Sequence, residues 1–439
     1  MQRKMEFCYY KKIAKLIIIS IIIGIVSPLS IYGERVLWPS IMNLENEAMT
    51  LMNSIPETAT SSGSKKGFLF VGNPNDIFTL GAGHIAINVT LSGAGHTFFQ
   101  HLRELKSRGI KITMILCNDR APVGVDLRNA PKYYDKPYFY MMDFNAENGE
   151  WQKYNFDRIV EDYGDIIDNW ILGNEINSQV YNYYGPADIN EYTKVYCDTF
   201  KICYDKIKSK NENADVYISF DQGWDLPEQR KNDPRFNKKV GLYRYNAKEM
   251  IAKINANLPK SVDWGLALHP YPAPVESAKF WDDEYAGYDE RAHYEKERPY
   301  LITLKNFEVA IEYLGRPAFL RTDGTIRNVI ISEFGLTSHD GERVQAAALY
   351  YLWEKIKDND YIKCFLYNAL TDLDDYNFGL VSNKNKKRLA WAVFKDMDRE
   401  YESAWCKDLL DEVLDENDYV DFNTYLFTKA SFSELTKGK

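Results

Sequence analysis

Apolar residues in this chain come in short unbroken runs, and most of the stretches between them carry the three-to-four spacing of helices. The runs lie at 84–91, 110–117, 138–144, 170–172, 214–220, 264–268, around Val329 and at 362–367. Runs of this length, with no alternating polar face, read as strands buried on both sides, as in parallel sheets. Amphipathic segments at 98–106, 156–165, 188–208, 247–257, 301–314, 344–357 and 389–397 separate most of them. Only the third run, just after Pro137, follows its predecessor without a long helix. Eight strands alternating with helices predict an α/β fold: a single (β/α)8 barrel of the TIM type with long βα loops. No internal repeat or low-complexity tract interrupts the pattern.

The ends of the chain fall outside that pattern. Residues 1–33 carry Arg3, Lys4, Lys11 and Lys12, then an apolar run at 13–26, then Pro28. A basic start and an apolar centre make a secretory signal. Residues 30–33 lack a clean small-x-small cleavage pattern, so an uncleaved membrane anchor, and with it a membrane tether, stays open. Both alternatives deliver the protein outside the cytoplasm. Residues 34–66 read as a linker, 67–400 as the barrel, and 401–439 as an acidic terminal extension.

Composition narrows the function by exclusion. With 439 residues and 45% hydrophobic content the chain can bury a large core, and α/β barrels of this length are commonly one domain. A net charge of −9 and a pI near 5.4, with no basic patch, argue against a nucleic-acid partner. The 32 Tyr and 9 Trp offer flat apolar faces with polar rims, which suit sugar rings and equally suit a large core. Of the cysteines, Cys8 precedes the apolar segment, Cys117 and Cys364 fall inside strands, and Cys197 and Cys203 share one helix; with Cys406 they form no CxxC pair and no disulfide framework. His84, His96, His101, His269, His293 and His339 show no paired ligand spacing, so neither a metal nor another cofactor is called for.

The chemistry concentrates at two strand ends. Trp170, Ile171 and Leu172 run into Gly173, Asn174 and Glu175, and Asn328 to Gly335 reads Asn-Val-Ile-Ile-Ser-Glu-Phe-Gly, delivering Glu333. A half-buried carboxylate is desolvated, an unfavourable placement without a task. In a barrel the reacting groups sit at the carboxyl ends of several strands, and counting puts Glu175 after the fourth strand and Glu333 on the seventh. Two opposed carboxyls suffice for a double displacement: one protonates a leaving oxygen while the other attacks the sugar carbon.

These motifs resemble those of the clan A glycoside hydrolases, the retaining barrel glycosidases. The resemblance implies that Glu175 is the acid/base, that Asn174 binds the hydroxyl next to the reacting carbon, and that Glu333 is the nucleophile. It also implies hydrogen bonds to Glu333 from His269 and Tyr271, in His-Pro-Tyr-Pro, where a rigid self-packed turn is the alternative. Arg120 matches a clan arginine that neutralises the nucleophile, a solvated loop arginine being the alternative. The blocks Gly-Asn-Glu-Ile-Asn, Phe-Asp-Gln-Gly-Trp, Leu-His-Pro-Tyr-Pro and Ile-Ser-Glu-Phe-Gly also resemble a family of barrel proteins without an assigned activity, from Gly67 to about Asp398. Asn118, Asp221 and Asn368 join the substrate-binding candidates at strand ends. One departure stands out: where clan members bring a tryptophan under the sugar from strand eight, this chain has Leu366-Tyr367-Asn368-Ala369, and Tyr367, Trp224 or Trp281 is expected to serve instead, with core packing as the alternative for each.

The expectation is therefore a secreted retaining glycoside hydrolase acting on O-glycosidic bonds of a poly- or oligosaccharide. Its rival is a non-catalytic carbohydrate-binding or cell-envelope barrel, disfavoured because both glutamates are present. An esterase is disfavoured by the absence of Gly-x-Ser-x-Gly. Asp372, Asp374 and Asp375 read as a solvated acidic loop in preference to a calcium loop.

Overall fold

The computed structural model describes residues 63–69, 74–93, 100–124, 131–133, 136–227, 244–372, 375–415 and 418. The expected leader, most of the linker, Cys8, His96, Asp374 and the end of the acidic extension lie outside the described residues.

Eight parallel strands close into one barrel. They are β1 (Lys66–Leu69), β2 (His84–Thr90), β3 (Lys111–Cys117), β4 (Asn169–Leu172), β5 (Asp215–Phe220), β6 (Trp264–Leu268), β7 (Val329–Phe334) and β8 (Ile362–Tyr367). Each pairs with its sequence neighbour, and β1 closes the ring by pairing with both β2 and β8. Alternation along each strand divides the core into two layers. Leu69, Ala86, Ile115, Ile171, Tyr217, Ala267, Ile330 and Leu366 point inward, one from each strand, and fill the barrel. The alternate residues, such as Trp170, Leu172, Phe220 and Leu268, point outward into the larger layer beneath the helices.

Helices cover the outside: α1 (Pro74–Thr79), α2 (Gln100–Ser107), α3 (Gly149–Tyr163), α4 (Ile189–Lys210), α5 (Ala247–Asn257), α6 (Glu308–Leu314), α7 (Glu342–Ile356), α8 (Leu389–Asp396) and α9 (Ala404–Val413). The longest, α4, starts where Asp188 accepts hydrogen bonds from the amides of Asn190 (2.7 Å) and Glu191 (3.1 Å), a cap that contributes about 1 kcal/mol. Within the expected acidic extension, α9 buries Cys406, Leu409 and Leu410. Cys117, Cys197, Cys203, Cys364 and Cys406 are all free and buried. Among the described residues no helix is long and apolar enough to cross a membrane.

Two strand assignments change. Residues 138–144 are not a strand of the barrel, because β3 pairs directly with β4 (Met114 opposite Trp170) and leaves no slot between them. Their backbone instead bonds the loop after β4: the Phe139 amide donates to the Val180 carbonyl (3.1 Å) and the Tyr183 amide to the Phe139 carbonyl (2.7 Å). The missing strand is β1, whose four residues begin with a lysine at the edge of a polar linker. Lys66 is fully buried because its ammonium donates to the carbonyls of Phe394 (2.7 Å) and Lys395 (3.2 Å) and pairs with Asp398 (2.5 Å). One strand lost and one gained leave Glu175 after the fourth strand and Glu333 on the seventh.

Candidate active site

Gly173 ends β4 in a left-handed conformation, with φ at 80°. A Cβ there would meet the Asn182 side-chain oxygen at 2.7 Å and Ile176 at 2.9 Å, so only glycine fits. Two residues on, Glu175 itself has φ at 46°, uncommon for a residue with a side chain. Neighbours hold it there: its amide donates to Ser219 Oγ (3.2 Å), and its carbonyl accepts from the Ser178 amide (2.8 Å). Backbone strain of this kind costs on the order of 1 kcal/mol and turns the carboxyl inward over the barrel mouth.

Glu333 reaches the same place by a different device. On β7, Ile331 pairs with Phe365 and Phe334 with Tyr367, so three steps on β7 match two on β8. Ile331 and Phe334 consequently both lie in the outer layer. The extra residue between them breaks the alternation and turns Glu333 inward, as a bulge does beside a site. Gly335 follows because Phe378 packs against it: a Cβ would sit 2.5 Å from that ring.

His269 and Tyr271 continue the inward parity of Ala267 on β6. The buried His269 ring sets Nδ1 3.1 Å from Glu175 Oε1 and 3.8 Å from Glu333 Oε2. Because one ring atom is near both, those oxygens lie at most about 6.9 Å apart, the sum of 3.1 and 3.8 Å. His269 Nε2 shares a hydrogen bond with Ser219 Oγ at 3.3 Å, which closes a ring back to the Glu175 amide. The Tyr271 hydroxyl donates to Glu333 Oε1 at 2.9 Å, and Asn368 Nδ2 donates to that hydroxyl at 2.8 Å. Burial, and then the Glu333 charge, push the Tyr271 hydroxyl well above its ordinary pKa, so it stays a donor. The Glu175 side chain is 8% exposed and that of Glu333 is 19%, so the second carboxyl is the more open to a ligand.

The remaining candidates divide. Asn174 is at the mouth: its carbonyl accepts from Asn182 Nδ2 (2.6 Å), while its side-chain oxygen is buried with no protein partner. Asn368 stands beside Glu333. Asn118, by contrast, pins a loop, donating to the Met141 carbonyl (3.1 Å) and accepting from the Asp119 amide (2.8 Å).

Five further expectations need correction. Arg120 does not neutralise Glu333: it donates to the Pro137 carbonyl (2.5 Å) and lies 3.9 Å over the Phe139 ring, where burial lowers its pKa. Asp221 is a latch, with both oxygens engaged by Asn177 (2.7 Å), the Gly223 amide (2.8 Å) and Arg244 (2.7 Å). Trp224 is 1% exposed and meets Tyr313 edge-on, and Trp281 is 2% exposed between Phe280 and Tyr351. Tyr367 is fully buried, its hydroxyl donating to the Phe378 carbonyl at 2.8 Å. None of the three rings has a face for a sugar. The Tyr376 ring is half-buried and stacks on Phe378 (5.3 Å), which in turn packs on Tyr271 (5.7 Å), whose hydroxyl reaches Glu333.

Ser219 and Asn177 were missed as site residues. Ser219 lies two after the inward Tyr217 on β5, and that parity was its available signal. Asn177 closes the Gly-Asn-Glu-Ile-Asn block and is fully buried against Asp221. Another buried acid, Asp283, lies in the long loop after β6, where burial pushes its pKa up to about 7.

Fold and site together define a parallel barrel with two glutamates converging at one mouth. Among solved structures the chain is similar to a family 39 glycoside hydrolase from the gut symbiont Bacteroides cellulosilyticus WH2, at 15% identity and a TM-score of 0.49, over 78% of this chain and 64% of that one. The chain thus spans less than two thirds of that enzyme's length. It is also similar to a β-glycosidase from the hyperthermophile Thermosphaera aggregans, at 14% identity and a TM-score of 0.45, over 75% of this chain and 85% of that one. A further similar structure is a GH2 β-galacturonidase from Eisenbergiella tayi bound to galacturonate, at 14% identity and a TM-score of 0.40, over 73% and 46% of the two chains. No curated protein matches the sequence. Residues 96–414 match the family of unknown function DUF5722, and the chain belongs to that family.

Proposed function

We propose that this protein is a retaining glycoside hydrolase that cleaves O-glycosidic bonds of an oligo- or polysaccharide. The observation that carries the reading is the placement of both carboxyls around one imidazole nitrogen, with facing oxygens at most about 6.9 Å apart. Retaining enzymes hold their carboxyls about 5–5.5 Å apart, whereas inverting enzymes need roughly 6.5–9.5 Å to admit a water. The bound, which applies to this one oxygen pair, admits the first range.

In this mechanism Glu333 attacks the anomeric carbon through Oε2, since Oε1 is held by Tyr271. The bond to the leaving oxygen breaks as Glu175 gives that oxygen its proton. Water then attacks the glycosyl-enzyme ester, Glu175 takes a proton from it, and Glu333 leaves as a carboxylate. The unpartnered Asn174 oxygen suits a sugar hydroxyl, and the half-buried Tyr376 ring is the remaining aromatic candidate for a sugar platform. The basic and apolar start of the chain adds the expectation of delivery outside the cytoplasm, free or membrane-tethered.

The test is a panel of aryl glycosides and plant, bacterial and fungal polysaccharides, with the product anomer followed by NMR. Retention, and labelling of Glu333 by a fluorosugar, are expected. An inverted product would overturn the proposal.

A further inference from the structure

A tyrosine hydroxyl has one proton, and a partner that can only donate decides where that proton goes. The Tyr271 hydroxyl has two side-chain partners, Glu333 Oε1 at 2.9 Å and Asn368 Nδ2 at 2.8 Å. The amide nitrogen of Asn368 also comes within 3.5 Å of Glu333 Oε1, so that end of the amide faces a carboxylate and must be the NH₂. Asn368 is itself tied to β7, its backbone amide donating to the Phe334 carbonyl at 2.7 Å, one residue from Glu333.

We propose that Asn368 is a positioning residue that fixes the direction of the Tyr271–Glu333 hydrogen bond, occupying the tyrosine's acceptor side so that its only proton points at the carboxylate. The inference rests on the reading of Glu333 as the nucleophile, and it gives a role to the residue that follows Tyr367, in the segment where the aromatic platform was expected. Asn368 acts on Glu333 chiefly through Tyr271. The oxygen facing His269 is thereby left to react, while the other carries the hydrogen bonds. The titratable groups around Glu333 are Tyr271 and His269 from β6, Glu175 from the loop after β4, and the Cys117 thiol from β3, which burial pushes up to about 12 and keeps neutral.

The experiment uses the full chain with carboxyl-13C glutamate, the Glu333 resonance being assigned by its loss in Glu333→Gln. Asn368→Asp offers Tyr271 a carboxylate in place of a donor, so the tyrosine proton is drawn away and a like charge is added. The Glu333 titration midpoint is expected to rise by about a unit or more. Asn368→Ala should raise it less, and should have no further effect in a Tyr271→Phe background. Circular dichroism and melting temperature show which variants are folded; if Asn368→Asp is not, the Ala and Phe cycle decides alone. An unchanged midpoint in folded Asn368→Asp, or an equal effect of Asn368→Ala with and without the tyrosine hydroxyl, would overturn the proposal. With a substrate in hand, the acid limb of kcat/KM should move to higher pH, and Asn368→Ala should lower kcat/KM about tenfold. Absence of turnover on any glycoside counts against the glycosidase reading alone, because the NMR titration needs no substrate.

Discussion

Asp221 and Arg244 form a buried ion pair, Oδ2 to Nη2 at 2.7 Å, behind the loop that carries Glu175. Asn177, two residues after Glu175, donates to the other oxygen of Asp221 (2.7 Å) and accepts from its amide (3.0 Å). The pair therefore anchors the loop that carries Glu175 to the strand beside it. Asp221→Ala strands a buried guanidinium and should destabilise the fold by about 3–5 kcal/mol in urea titration. Replacing both partners, as Asp221→Leu with Arg244→Met, should recover most of that loss. Weakened sugar binding at unchanged stability would assign Asp221 to the substrate instead.

Glu175→Ala removes the proposed proton donor. Substrates with poor leaving groups should slow by roughly 10²–10⁴-fold, whereas activated aryl glycosides that leave without protonation should slow far less in the bond-breaking step. Steady-state rates on both, in parallel, provide the check. Equal losses on the two classes speak against the role.

Trp224→Ala empties a site closed on all sides and should cost about 3–5 kcal/mol of stability. Its effect on the affinity of the folded protein for sugar should be small, since the ring is 1% exposed. Tyr376→Ala should show the opposite pattern, weaker binding with little change in melting temperature. Calorimetry and ligand titration of the two variants separate core from platform.

Asp283 predicts a pH dependence. Burial raises its pKa from 3.8 to about 7 in the folded chain. A carboxyl whose folded pKa lies above its unfolded value stabilises the fold when protonated. That contribution is complete below the unfolded value and is lost as pH rises through about 7, on the order of 4 kcal/mol in all. Asp283→Asn should flatten stability between roughly pH 4 and 7, leaving it similar near pH 4 and higher than the native protein's at pH 8. Melting curves across that range test it, and an unaltered slope rules it out.

The two glutamates were legible because local chemistry marks them: an apolar run, then a residue that permits a turn, then an acid. The barrel was legible because its strands are too apolar to face water on either side. The false strand at 138–144 has the right composition, and only the direct pairing of Met114 with Trp170 excludes it. The four residues of β1 were too few to rise above a polar linker. Tyr367 and Leu366 show the finer limit, since one faces the helices and the other the barrel. The register shift on β7 makes such parity unreadable from the chain, because alternation counted from Ile331 puts Glu333 on the wrong face.

Lys66 ties the first described strand to residues far along the chain. In β1 the buried ammonium is matched by carbonyls of Phe394 and Lys395 and by Asp398, and the strand's second sheet neighbour is β8. Until those late residues emerge, β1 has one open edge and a charge with nowhere to be buried. A closed ring with Lys66 matched therefore needs the chain through Asp398. A chain cut before Leu389 retains all eight described strands and both glutamates, and closing it leaves Lys66 without these partners. The mouth where the two glutamates meet thus depends on a lock between the two ends of the barrel sequence.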